Sequence, residues 1–149
     1  MKLLAVVLVL FTYFSGGEVY TLKVNVTGLK PLKGDLYVSL HQRPEFFLMA
    51  DSAFMKMQVK VQSEDMSVFF KDLPAGQYAI AVYHDENLNG VMDANEKGFP
   101  KEGYGFSTKN KMLGRAKFEQ AAFEVTGSKA IEVKMIYPPG SAANNNGTL

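Results

Sequence analysis

The chain has 149 residues, a formal net charge of +1, no Cys, no Trp and 47% hydrophobic residues, which suits one domain with a core and is too short for two. The near-zero charge excludes a nucleic-acid binder held by a large basic surface. The missing Cys excludes disulfide staples, thiol catalysis, iron–sulfur clusters and Cys-based zinc sites. Two His residues leave little material for a metal hydrolase or a nucleophilic triad.

The first predicted element is a leader, residues 1–17. Residues 3–14 are apolar except for Thr12; Lys2 precedes them, and Ser15, Gly16 and Gly17 follow. A membrane-spanning helix needs about 20 apolar residues, whereas a positive start, a short apolar run and small residues describe a secretory signal peptide. Cleavage after Gly17 leaves a chain with no membrane span, in the bacterial periplasm or outside the cell. No Cys follows the run to carry a lipid. A buried N-terminal helix or strand is the alternative.

Residues 18–138 read as one all-β domain. Leu22, Val24 and Val26 alternate with Lys23 and Asn25; Leu36, Val38 and Leu40 repeat the pattern over residues 34–41. Residues 56–62 follow, then Met66, Val68 and Phe70, then residues 77–84 with Tyr78, Ile80 and Val82. Residues 118–126 and 129–137 close the set. Period-two alternation with turn signals between segments predicts a single antiparallel β-sandwich of about seven strands, immunoglobulin-like or transthyretin-like. Residues 43–55 hold Phe46, Phe47, Leu48, Met49, Phe54 and Met55 without a period, as a short helix or a compact loop over one end of the core. Pro74 and Gly76 mark a turn at residues 72–76, and the frame FKDLPAGQYAIAVYHD resembles the strand–turn–strand unit of transthyretin-like and carboxypeptidase-regulatory-like sandwiches. Residues 139–149 read as a disordered tail.

Between the fifth segment and residue 115 lies one long Asp/Asn/Gly-rich loop. Residues 85–96 fit the twelve-residue calcium pattern: Asp85 at position 1, Asn87 at 3, Asn89 at 5, Gly90 at 6, the Val91 carbonyl at 7, Asp93 at 9 and Glu96 at 12. Calcium takes six to eight hard oxygen ligands, and alternate side chains in a tight loop converge on one point. A strand precedes the loop and Gly98, Phe99 and Pro100 follow it, so this is no helix–loop–helix sensor. The predicted role is structural, ordering a long connection; the alternative is an Asx-rich turn held by its own hydrogen bonds. Tyr104 and Phe106, set among Gly103 and Gly105, either stack on a ligand or cover the open end of the sandwich.

The stretch YAIAVYHDENLNGVMDANEKGFPKEGYGFS, with Gly28 and Leu29, residues 34–40, Leu73 to Gly76 and a closing IEVKMIY strand, resembles an uncharacterised bacterial exported family known as domain of unknown function 2141. Gly98, Pro100, Glu102, Gly103, Gly105, Phe106 and Ser107 match its pattern, and Lys97 departs from it. The resemblance implies an exported bacterial β-sandwich with no assigned activity.

Two functions compete. The first is a non-catalytic envelope module with a calcium-ordered loop that binds a protein or glycan partner. The second is a hydrolase, using a carboxylate pair among Asp85, Asp93, Glu96 and Glu102, or His41 and His84 joining Asp85 on a metal. Neither a G-x-S-x-G elbow nor H-E-x-x-H occurs. A carrier or adhesin subunit working through a sheet edge is a third reading.

Overall fold

Apolar–polar alternation builds the inner faces of two sheets. In β1 (Val19–Thr27), Leu22, Val24 and Val26 are fully buried, and in β2 (Asp35–His41) so are Leu36, Val38 and Leu40. The computed structural model describes residues 17–108, 116–139 and 141. The predicted leader, apart from Gly17, and the predicted tail, apart from Pro139 and Ser141, lie outside the described residues, as do residues 109–115.

After β2 the chain makes two 3-10 turns, Pro44–Phe46 and Ala50–Ser52, and continues through β3 (Met55–Lys60), β4 (Met66–Pro74), β5 (Gly76–Asp85) and β6 (Gly103–Phe106). A single helical turn, α1 (Phe118–Ala121), precedes β7 (Phe123–Val125) and β8 (Lys129–Lys134). One sheet runs β4–β1–β8; the other runs β3–β2–β5–β6, with β7 on the first residues of β5. Their facing side chains form one cluster that includes Leu22, Val38, Phe70, Ile80, Val82 and Val133. The fold is an all-β sandwich, as the alternation predicts. One pairing departs from an antiparallel scheme: β8 lies parallel to β1.

Two predicted elements are corrected. Residues 118–126 are not one strand, because residues 118–121 coil. Phe118 and Ala121, three apart, share one helical face and are buried with Ala79 against Phe47 and Phe106. The Lys117 amide donates to Gln120 Oε1 at 2.9 Å, which closes the turn.

The second correction is β6 (Gly103–Phe106), where the glycines of the sequence predict a flexible loop and the structure has a strand. Here glycine faces inward and the aromatics face out. A Cβ on Gly103 would overlap the Tyr137 ring, and one on Gly105 would stand 2.7 Å from Val133 Cγ1. The glycines therefore let β6 approach the opposite sheet, and Tyr104 and Ile136 exchange backbone bonds of 3.0 and 2.7 Å that join the two sheets at this edge. Gly103→Ala is expected to lower stability by about 1–3 kcal/mol through overpacking. Ala at Gly127, where an added Cβ meets nothing within 4 Å, should change it by less than about 0.5 kcal/mol. Urea unfolding of the two variants checks the contrast.

Candidate functional site

Residues opposite one another in an antiparallel pair share a face, so register defines the outer face of the larger sheet. One row is Gln58, Tyr37, Tyr83 and Tyr104; the next is Lys56, Ser39, Ala81 and Phe106. The Tyr37 and Tyr83 rings lie 4.6 Å apart at an interplanar angle of 1°. This row is the floor of a groove of about 1040 Å³, walled by Leu48, Ala50 and Asp51 on one side and by residues between Gly90 and Pro100 on the other. Tyr104 is almost fully buried and Phe106 half-buried, and both line the groove. Tyr83 donates to the Gly90 carbonyl at 3.2 Å, tying floor to wall. Burial, then the charges of neighbouring Tyr37, Asp85 and Glu102, pushes its hydroxyl up to about 12.

The wall is built from carboxylates and carboxamides that accept backbone amides. Asp85, buried at the end of β5, accepts from the Asn89 amide at 3.2 Å and the Gly90 amide at 2.7 Å. Asn87 and Asn89 each donate a side-chain amide to Asp93, at 2.7 and 3.2 Å. Val91 donates its backbone amide to Asn89 Oδ1 and exposes its side chain. Of the predicted ligands, Asp85, Asn87, Asn89 and Asp93 are brought together.

Glu96 is not among them. Residues 93–101 form a small hairpin: Lys101 donates to the Asp93 carbonyl, Ala94 bridges Pro100, and Asn95 and Phe99 bond at 2.9 Å. Asn95 Oδ1 caps its tip by accepting the Lys97 and Phe99 amides. Glu96 sits on that tip, exposed. The carboxylate that returns to the loop is Glu102, buried, whose two oxygens accept the Glu86 amide at 3.0 Å and the Asp93 amide at 3.1 Å. Burial holds its carboxyl above the usual range; the two amides oppose this, and the charges of Asp85 and Asp93 add to it. Among the described residues, no group of three or more His, Asp or Glu side chains is gathered as a metal-binding cluster.

The two histidines stand apart and serve different ends of β5. His84 Nε2 lies 2.6 Å from the Lys33 carbonyl and therefore carries a proton; its Nδ1 lies 2.8 Å from the Tyr137 hydroxyl. His41 pairs with Ala79 at the other end. Ser39 donates to the Ala81 carbonyl, so His41 Nε2–H donates to Ser39 Oγ at 3.0 Å. His41 Nδ1 is buried with no hydrogen-bond partner, and the Phe47 ring stands edge-on at 5.4 Å. The sequence reading missed the floor residues Tyr37, Ser39 and Tyr83. Aromatics at the polar positions of the alternation were the available signal.

The model of a bacterial conserved family of uncharacterized proteins, DUF2141, matches residues 24–133. The chain belongs to this family. The DUF2141 span begins within β1 and ends within β8, so the groove and its carboxylate-held wall both lie inside it. No curated protein and no solved structure matches the chain.

Burial lowers the His41 pKa below its ordinary value. Above pH about 6.5 the folded and unfolded chains both hold it neutral. As pH falls through that value the unfolded chain takes up a proton that the fold resists, so stability drops until His41 titrates in the fold. The urea midpoint should therefore fall between pH 7 and 5.5, and His41→Gln should reduce that fall.

Proposed function

We propose that this chain is an exported, non-catalytic module of the bacterial cell envelope that binds a segment of a glycan or protein partner in the outer-face groove. Calcium orders the loop that forms one wall. The observation that carries this reading is the aromatic floor: Tyr37 stacked on Tyr83, continued by Tyr104 and Phe106. Ligand sites combine apolar and aromatic lining with a few placed polar groups, and Ser39, Gln58, Lys56 and Asp51 supply these. Val91 and Phe99, both more than half exposed, extend the apolar surface onto the wall.

The electrostatics of the wall support the calcium part. Asp85, Asp93 and Glu102 repel one another closely enough for the first two to raise the pKa of the third. A divalent cation taken by the Asp85, Asn87, Asn89 and Asp93 oxygens and the Val91 carbonyl would offset that repulsion. Glu102 is the carboxylate placed to complete the set, with Glu96 on the hairpin tip. The hydrolase reading has less support, because both Glu102 oxygens already accept backbone amides.

Calorimetric titration with defined oligosaccharide and peptide fragments of envelope polymers, in calcium and in chelator, tests the reading. Binding should weaken at least about tenfold in Tyr37→Ala and on calcium removal. Extracellular modules hold calcium with dissociation constants of about 10⁻⁴–10⁻³ M. At 10 mM calcium the fold should gain about 1.4–2.7 kcal/mol, a gain lost in Asp93→Ala and kept in Glu96→Gln. Equal binding by Tyr37→Ala and the unaltered chain would contradict the groove, and a midpoint indifferent to calcium would contradict the ion.

A further inference from the structure

Glu86 takes no part in the wall except through its backbone amide. Its side chain is only 7% exposed, and both carboxylate oxygens are buried without a hydrogen-bond partner. The ion pair found among the described residues, Lys56–Asp51, lies elsewhere. An ionised carboxylate taken out of water costs several kcal/mol unless it is compensated, and buried charges are paired or coordinate metals. Among the described residues no basic side chain forms an ion pair with Glu86, and on the Tyr137 side Lys30 Nζ stands 5.9 Å from the Tyr137 ring centroid. The Tyr137 hydroxyl accepts the Lys30 amide at 3.0 Å.

The position is well defined. A Cβ on Gly34 would overlap the Asp85 carbonyl and stand 3.0 Å from Glu86 Cα, so the entry to β2 lies against the Glu86 backbone. The Glu86 charge is felt at the Tyr137 hydroxyl, which burial first and this charge further raise to about 12. His84, whose ring bonds to Tyr137, lies two residues before Glu86, whereas Asp85, Asp93 and Glu102 form the wall. A second orphan follows Tyr137 along the chain. Ser141 follows Tyr137 by four residues, its amide bonded to the Pro138 carbonyl, and its hydroxyl is buried without a partner.

We propose that Glu86 holds a second cation, distinct from any in the loop, between the end of β5, the Gly34 entry to β2 and the segment that leaves Tyr137. Carboxylate, hydroxyl and carbonyl oxygens are the donors available, which selects a hard divalent cation of the calcium class rather than a softer metal. None of the Asp85, Glu86, Asp93 and Glu102 carboxylates is in an ion pair with a basic side chain among the described residues. This proposal does not rest on the loop reading, since a different orphaned group carries it.

The test is calcium stoichiometry by equilibrium dialysis on the chain from residue 18 onward. Terbium emission provides a second readout, sensitised by tyrosine because the chain has no Trp. The unaltered chain should bind two ions, Glu86→Gln one, and Tyr137→Phe should lose the emission that Glu86→Gln also loses. Glu86→Gln removes a buried charge without changing shape, so in chelator it should melt no lower than the unaltered chain. Where the unaltered chain binds a single ion, its loss in Glu86→Gln with retention in Asp93→Ala supports this site and removes the loop site. Where it binds a single ion, retention in Glu86→Gln with loss in Asp93→Ala overturns this site and leaves the loop site standing. Equal stoichiometry in Glu86→Gln and the unaltered chain, or no calcium bound by either, also overturns it.

Discussion

Glu102 accepts two backbone amides from one buried carboxylate, Glu86 at 3.0 Å and Asp93 at 3.1 Å, and the geometry of the site hangs on that bridge. It ties the exit of β5 and the base of the 93–101 hairpin to the residue preceding β6. Hydrogen bonds to a charged group contribute about 1.5–3 kcal/mol each, enough to hold a wall that is otherwise mostly exposed turn. Asp85 repeats the device one step earlier with the Asn89 and Gly90 amides. A chain with no disulfide can staple a long connection in this way. The arrangement collects negative charge as it does so, and the charges of Asp85 and Asp93 add to burial in raising the Glu102 carboxyl.

The floor of the groove follows from a different constraint. β6 must pass close to Tyr137, Val133 and Met135 for the two sheets to meet, and only glycine fits at the inward positions 103 and 105. Alternation then places Tyr104 and Phe106 outward, in register with Tyr83 and Ala81. Outward aromatics would be a liability in a bare sheet. Here the 90–100 wall and the Leu48–Asp51 segment flank them, leaving a lined groove rather than a flat patch.

How much of this was legible follows the physics of each segment. β1, β2, β3, β4, β5 and β8 announce themselves because their buried residues alternate with Lys, Gln, Asn and Ser. β6 hides because its inward residues are glycines, which carry no hydrophobic signal and read as flexibility. α1 hides because four residues are too few for a helical period, and Phe118 is buried in either state. The Asp85–Asp93 half of the loop was legible from side-chain spacing. Its closure was not. Counting to position 12 selects Glu96, but the Asn95-capped hairpin carries that residue outward and returns the chain at Glu102. The Tyr37–Tyr83 pair depends on register between distant strands, which spacing along one strand cannot reveal.

The central claim is that Glu102 clips the wall in place, and native-state hydrogen exchange of the Glu86 and Asp93 amides tests it most directly. In Glu102→Gln the charge-assisted bonds are lost, and both amides should exchange at least about tenfold faster, as about 1.5–3 kcal/mol of lost stabilisation requires. Core amides such as Val24 and Phe70, in the smaller sheet, should keep their protection. Unchanged exchange at Glu86 and Asp93, or uniform acceleration through the core, would contradict the account.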